Sequence, residues 1–208
     1  SREAVDEAWQ DHAESDFRRS MGMIEEEIRS MPTLRRSRKR LSWLSINIVL
    51  NMVAASVIAG YQETLSQVIA LAVFLPVISD MSGCSGNQAV AVSMRELSLG
   101  LVEPYEHRRV MFKEALMGLL NGTALGLLLG IIATLFTGNI WLGAVVGVAL
   151  ALNTLVAVII GGTIPLVLKR FGVDPALAAG PILTTATDMF GFFLVLSIAT
   201  AVLPMIVG

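Results

Sequence analysis

From Leu41 to its end, the chain is a succession of apolar stretches. Each is close to the roughly 20 residues a helix needs to cross a bilayer. Backbone N–H and C=O groups in hydrocarbon must be paired within the segment, so uninterrupted apolar runs of this length fold as helices. The composition agrees. Hydrophobic residues make up 54% and charged residues 15% of the chain, and the mean hydropathy is +0.70. Soluble domains carry about 25% charged residues. The charges are also segregated. Residues 1–40 hold nine of the fifteen basic and nine of the seventeen acidic residues, leaving six and eight for the other 168. The net charge of −2 hides this division. The expected organisation is a polar head over 1–40 and a membrane body over 41–208.

Five spans are expected: Leu41–Gly60, Thr64 into Leu97, Glu114–Phe136, Trp141–Leu168 and Ala178–Leu203. In the head, Phe17, Met21, Ile24, Ile28 and Met31 recur at spacings of four and three, the pattern of a short cytosolic amphipathic helix ending at Pro32. That helix either packs on a neighbour or caps the membrane body. The run Arg35-Arg36-Ser37-Arg38-Lys39-Arg40 directly precedes the first apolar stretch. At a membrane boundary it reads as a cytoplasmic anchor rather than a nucleic-acid patch. With the N-terminus cytoplasmic, Arg95, Arg108, Arg109, Lys113, Lys169 and Arg170 all fall on the inner side, and the outer connections carry no basic residue. The expected location is the plasma or inner membrane, with several crossings. The single Cys84 excludes an intrachain disulfide.

Asp188 breaks the pattern. It lies within an apolar run between Pro181 and Pro204, with Thr184, Thr185 and Thr187 before it and Gly191 after it. A carboxylate at bilayer depth costs about 3 kcal/mol on insertion scales and normally faces water, a partner charge or a cation. Asp188 is therefore either part of an ion path or a carboxyl buried in a helix contact. The second span is the other irregular segment. Pro76 is followed by Ser79, Asp80, Ser82, Gly83, Cys84, Ser85, Gly86, Asn87 and Gln88. Pro76 and the glycines predict a broken helix lining a wet cavity, or else a kinked helix packed by small residues. Asp80 is expected toward the inner mouth. Gly118, Gly122, Gly126 and Gly130 make a groove on the third span for close packing of another helix. Asn153 either bonds across helices or faces the pore. Glu63 is a loop charge or an outer-mouth group. Asp174-Pro175 reads as an N-cap and first helical residue.

These groups offer carboxylate, amide, hydroxyl and carbonyl oxygens and no histidine within a span, which suits hard cations such as Mg²⁺, Ca²⁺ or Mn²⁺. Mg²⁺ keeps several waters and is held by one or two carboxylates. One Asp188 per chain is thin for a dication, whereas two copies about a two-fold axis supply a pair. The expectation is an all-α homodimer with its pore near the axis.

Pro76, then Ser82-Gly83-Cys84-Ser85-Gly86-Asn87-Gln88, then Arg95, resemble the second-span motif of MgtE-type magnesium channels. Phe171-Gly172-Val173-Asp174-Pro175-Ala176 and the stretch from Pro181 to Asp188 resemble that family's approach to its last span. The resemblance covers about residues 41–204 in order. It implies five spans per subunit, a homodimer, and a pore built mainly from the second and fifth spans. It implies that paired Asp188 side chains hold hydrated Mg²⁺, aided by groups around Gly83, Gly86, Asn87 and Thr184, and that other divalent ions pass less well. The chain departs from the motif at Ser82-Gly83-Cys84, where Gly-Gly-Asn is usual, and at Asp80, where a small or apolar residue is common. The family's cytosolic helical and CBS domains have no match in residues 1–40, where the head helix is the remaining candidate gate.

A carrier coupling Mg²⁺ to Na⁺ or H⁺ is the nearest alternative. An intramembrane aspartyl protease built on Asp80 and Asp188 is disfavoured, because neither residue sits in a Tyr-Asp or Gly-x-Gly-Asp setting. No clustered acidic motif of a phospholipid-head transferase is present, so no enzyme is expected. A pure assembly subunit is the last alternative.

Overall fold

The computed structural model describes residues 32–207. The expected head helix over 3–31 lies outside them. All regular structure among the described residues is helical: α1 (Thr33–Gly60), α2 (Gln62–Gln67), α3 (Leu71–Ser98), α4 (His107–Thr137), α5 (Ile140–Arg170), α6 (Pro175–Ala201) and α7 (Leu203–Val207). The basic stretch forms the first turns of α1 and runs into its apolar part without a break. Three segments are both long and apolar enough to cross a membrane: α4, α5 and the Ala178–Ala201 part of α6. Leu44–Gly60 within α1 is a shorter apolar helix. α3 is as long as α1, but Asp80, its serines, Asn87 and Gln88 dilute its apolar content.

The expected break in the second span is real but misplaced. It falls at residues 68–70, between α2 and α3, where the Val68 backbone leaves the helical region and Leu71 N–H bonds the Val68 carbonyl at 3.0 Å. From Leu71 to Ser98 the helix is continuous, with Pro76 inside it. Pro76 lies only six residues into α3, where its missing donor affects one early bond rather than the middle of a long helix. Gly83 and Gly86 do not unwind the backbone. Gly86 lets another helix come close, since a Cβ there would lie 2.9 Å from the Ala157 carbonyl of α5, whereas one on Gly83 would make only an ordinary contact with Thr187 Oγ1 at 3.8 Å.

α5 is the centre. It packs against α3, α4 and α6, and more than half of its apolar window is buried. The glycine groove on α4 receives it, as the sequence predicts. A Cβ on Gly122 would lie 2.5 Å from the Ala151 carbonyl, and one on Gly126 would lie 2.5 Å from the Gly147 carbonyl. α5 answers with its own Gly143 and Gly147, set against Gly130 and Gly126. The caps fix the ends. Asn139 Oδ1 accepts from the N–H groups of Trp141 and Leu142 (2.9 and 3.1 Å), and its Nδ2 donates to the Ile206 carbonyl at 2.8 Å. Asp174 accepts from Ala176 N–H at 3.0 Å, with Pro175 as the first helical residue, as expected.

α1 lies at the edge and packs chiefly on α6, with Ala54 its one buried residue among those described. Leu44, Ile48 and Met52 on α1, and Leu127, Ile131 and Leu135 on α4, face outward. Apolar surfaces of this extent fit lipid or another subunit rather than water. The α1–α2 connection and α2 are tied to α6 by a Tyr61 Oη–Ser197 Oγ bond and a Thr64 Oγ1–Thr200 Oγ1 bond, each 2.7 Å. Glu63 lies in the first turn of α2 and is exposed.

The glycine seam makes a direct prediction. Gly126→Leu forces α4 off α5 and destabilises the fold by about 1–3 kcal/mol or more, the usual cost of overpacking. Thermal unfolding in detergent, followed by helical circular dichroism, reads this as a clear drop in midpoint. Leu127→Ala, on the outward face, leaves the midpoint nearly unchanged.

Candidate functional site

Asp188 sits halfway along α6, half-buried, and accepts a hydrogen bond from Ser79 Oγ of α3. The two helices run antiparallel, and their register follows from three contacts. Ser79 meets Asp188. A Cβ on Gly83 would lie 3.8 Å from Thr187 Oγ1, and one on Gly86 would lie 2.9 Å from a Leu183 methyl. This register sets Asp80 at the depth of Asp188 and Asn87 near the depth of Thr184. Asp80 is therefore not toward the Arg95 end of α3. It lies ten residues into the helix, on the side of the α1–α2 connection. Asp80, Cys84 and Asn87, at spacings of four and three, are exposed along one face of α3. Thr184 and Asp188, four apart, share the open side of α6, whereas Thr187 is fully buried.

The threonine hydroxyls donate to their own helix. Thr184 bonds the Gly180 and Pro181 carbonyls (both 3.2 Å), Thr185 bonds Pro181 (2.8 Å) and Thr187 bonds Thr184 (2.9 Å). Such back-bonding satisfies the proton inside the helix and leaves the oxygen lone pairs turned outward. Thr184 can then accept from a water or face a cation.

Behind Asp188 lies a buried polar knot. Asn153 of α5 is 0% exposed, and its Nδ2 donates both to Ser82 Oγ of α3 (2.5 Å) and to the Thr187 carbonyl of α6 (3.0 Å). Ser82 Oγ in turn donates to the Ile78 carbonyl at 2.6 Å. A backbone carbonyl can only accept, so the Thr187 contact fixes which amide atom is the nitrogen. Of the two readings of Asn153, the cross-helix bond is the one observed. Gly191 makes room for it, since a Cβ there would lie 2.6 Å from Nδ2. Asn153 Oδ1 and Thr154 Oγ1 are buried with no hydrogen-bond partner. A buried unpaired acceptor costs about 1–3 kcal/mol. Interhelical hydrogen bonds in membranes return about 0.6 kcal/mol each on average. The knot is thus neutral at best for stability.

Gly83 and Gly86 lie within this packed side of α3, against α6 and α5. No group of three or more His, Cys, Asp or Glu side chains that could hold a metal assembles among the described residues. Ser79 and Ser82, three apart on α3, are the groups that sequence reasoning missed. Their spacing beside Asp80 was visible, but their partners lie 109 and 71 residues away. Away from the apolar helices, Glu103 N–H donates to Glu106 Oε2 (3.1 Å), and Arg109 Nη1 bonds Oε1 (3.3 Å). These bonds hold the Glu106 carboxyl below its ordinary range and close the turn before α4.

Residues 75–198, which carry this whole arrangement, match the profile of MgtE, described as a divalent cation transporter. The chain belongs to the MgtE family. That family is one of transporters, not enzymes, and the chain is accordingly an integral membrane protein. Similar relatives are named "Magnesium transporter MgtE". One from Bacillus subtilis (strain 168) is 34% identical over 163 residues, 78% of this chain and 36% of the relative. One from Enterococcus faecalis is 34% identical over 190 residues, 91% and 42% respectively. One from Thermus thermophilus is 37% identical over 164 residues, 79% and 36%. The MgtE-like chain described here thus spans about two-fifths of the length of these relatives.

The α3–α6 register is checked by cross-linking. In a Cys84→Ser background, Gly83→Cys combined with Thr187→Cys brings two thiols within disulfide reach. Mild oxidation removes both free thiols, as counted by mass after maleimide labelling. Each single variant keeps its thiol.

Proposed function

We propose that this chain forms the membrane pathway of a homodimeric divalent-cation channel whose main substrate is Mg²⁺. One observation carries the reading. Asp188, held by Ser79, lies at mid-depth of an otherwise apolar body beside the open Asp80, Asn87 and Thr184 of the same helix pair. Oxygen groups of this kind suit a hard cation. The relatives' name, magnesium transporter, supports Mg²⁺ as that cation.

Within one protomer only Asp188, of the carboxylates at that depth, is fixed by a neighbouring helix, so one copy offers a dication a single positioned carboxylate. A second copy about a two-fold axis brings a second Asp188 opposite the first. The pair then grips Mg²⁺ through its retained waters, because this ion sheds them reluctantly. The Thr184 hydroxyl oxygen and the Asn87 amide oxygen accept from the waters of that shell. Asp80, at the same depth, adds negative charge to the approach and raises local cation concentration. Gly83 and Gly86, on the packed side of α3, contribute by seating that helix against α6 and α5, which leaves its open face to the path. Ions leave because the contact runs through water rather than direct ligation, which keeps binding weak enough for passage.

In this reading each protomer crosses the membrane five times. α3, at 28 residues, is about 42 Å long, enough to span despite its polar side. In the homodimer that side faces the path and not lipid. The N-terminus is cytoplasmic, with the inner connections holding the basic residues. The 1–40 segment is then a cytosolic head that joins the pore domain.

Protein reconstituted in liposomes with an entrapped Mg²⁺ dye tests this. Wild type takes up Mg²⁺ down its gradient with no Na⁺ or H⁺ gradient present. Asp188→Ala lowers the initial rate by at least about tenfold, the range expected when a binding partner of a metal is removed. Asp80→Ala shifts apparent affinity less. Equal uptake by wild type and Asp188→Ala removes the pore role, and uptake that requires a Na⁺ or H⁺ gradient assigns a coupled carrier instead.

A further inference from the structure

We propose that Asn153 is a positioning residue for divalent-ion binding: its buried amide clamps α3 to α6 so that Ser79 and Asp188 stay in register, and it sets ion affinity rather than fold stability. The proposal rests on the reading of Asp188 as the ion-holding group. Asn153 itself touches no open surface.

The geometry gives the argument. One NH₂ group of α5 reaches both pore-side helices, through Ser82 Oγ and the Thr187 carbonyl. Each of those points is next to the candidate site. Thr187 immediately precedes Asp188, and Ser82 lies one helical turn from Ser79, whose hydroxyl bonds Asp188. Ser82 Oγ also passes its proton to the Ile78 carbonyl, which ties the clamp to the backbone beside Ser79. A slide or rotation of α6 against α3 large enough to part Ser79 from Asp188 therefore has to break an Asn153 bond as well. The carboxylate direction is fixed by groups on three helices, not by its own rotamer alone.

A side chain kept for stability alone would look different. Asn153 Oδ1 is buried without a partner, and Gly191 gives up a side chain to accommodate the amide. A leucine at 153 has the same branched shape with no unpaired acceptor of its own, and Ser82 keeps its bond to the Ile78 carbonyl, so the change leaves little unpaired. Supporting groups behind a metal-binding carboxylate typically change metal affinity 10–100-fold when removed.

The test uses the full chain in liposomes for Mg²⁺ uptake and in detergent for thermal unfolding. Asn153→Leu is expected to raise the half-saturating Mg²⁺ about 10–100-fold, with an unfolding midpoint equal to or above wild type. Gly191→Ala, whose methyl displaces the amide, and Ser82→Ala, which removes one arm of the clamp, shift half-saturation in the same direction. Half-saturation within about twofold of wild type in Asn153→Leu overturns the proposal. So does a fallen midpoint with unchanged affinity in the folded fraction, which would make Asn153 a packing residue. Should Asn153→Leu not yield folded protein, unchanged affinity in both Gly191→Ala and Ser82→Ala overturns it equally. Asp188→Asn separates the two levels. If it loses uptake while the Asn153 set is silent, only the clamp is wrong. If it transports like wild type, the ion-holding role of Asp188 and the clamp built on it both fall.

Discussion

Close backbone approach between α5 and its neighbours is the contact on which the remaining structure depends. In a bilayer there is little hydrophobic gain from pressing one apolar helix on another, because lipid tails are as apolar as leucine. Cohesion must come from van der Waals contact at short range and from hydrogen bonds between helices. The chain achieves the first with glycine facing glycine or alanine: Gly122 on Ala151, Gly126 on Gly147, Gly86 on Gly161. It achieves the second with Ser93 Oγ donating to the Gly162 carbonyl at 2.7 Å and with the Asn153 bonds. α5 is therefore held on two sides by backbone, and α3 is brought in against it with little freedom to drift.

That close packing sorts the side chains of α3. The polar groups of α3 divide between two sides of one helix. Ser79, Ser82 and Ser93 turn to α6 and α5, while Asp80, Cys84 and Asn87 stay open. The packed serines bond other helices, and the open groups have no such engagement. A helix of this composition is a poor lipid-facing surface and a good wall for a hydrated path. The same logic separates Thr187, buried toward the clamp, from Thr184 on the outer side of α6. Position on the helix, not residue type, decides which hydroxyl is structural and which is available.

The bulk of the architecture was legible in the amino-acid order. Apolar length marked the helices, the 118–130 glycines marked a packing groove, and Asp174-Pro175 marked the start of α6. The family could be read from the stretch around Gly83–Gln88 together with the approach to Asp188, and the match over 75–198 bears this out. The location of the helix break was not legible. Proline and glycine look the same in sequence whether they interrupt a helix or let another one approach, and only the neighbours at Ala157 and Leu183 decide for Gly86. The partners of Ser79 and Asn153 were hidden for a related reason. A buried hydrogen bond between residues far apart in sequence leaves no periodic trace, and the glycine that accommodates it looks like any other.

The peripheral placement of α1 sets the order in which force travels through the molecule. Its lateral neighbour is α6, and the α1–α2 connection and α2 are fastened to Ser197 and Thr200 near the far end of that same helix. A push or twist delivered along α1 is received first by the carboxylate-bearing helix, while α4 and α5, locked by their glycines, serve as the stationary frame. The helix that α1 touches and the frame locked by glycine are thus different parts of the bundle.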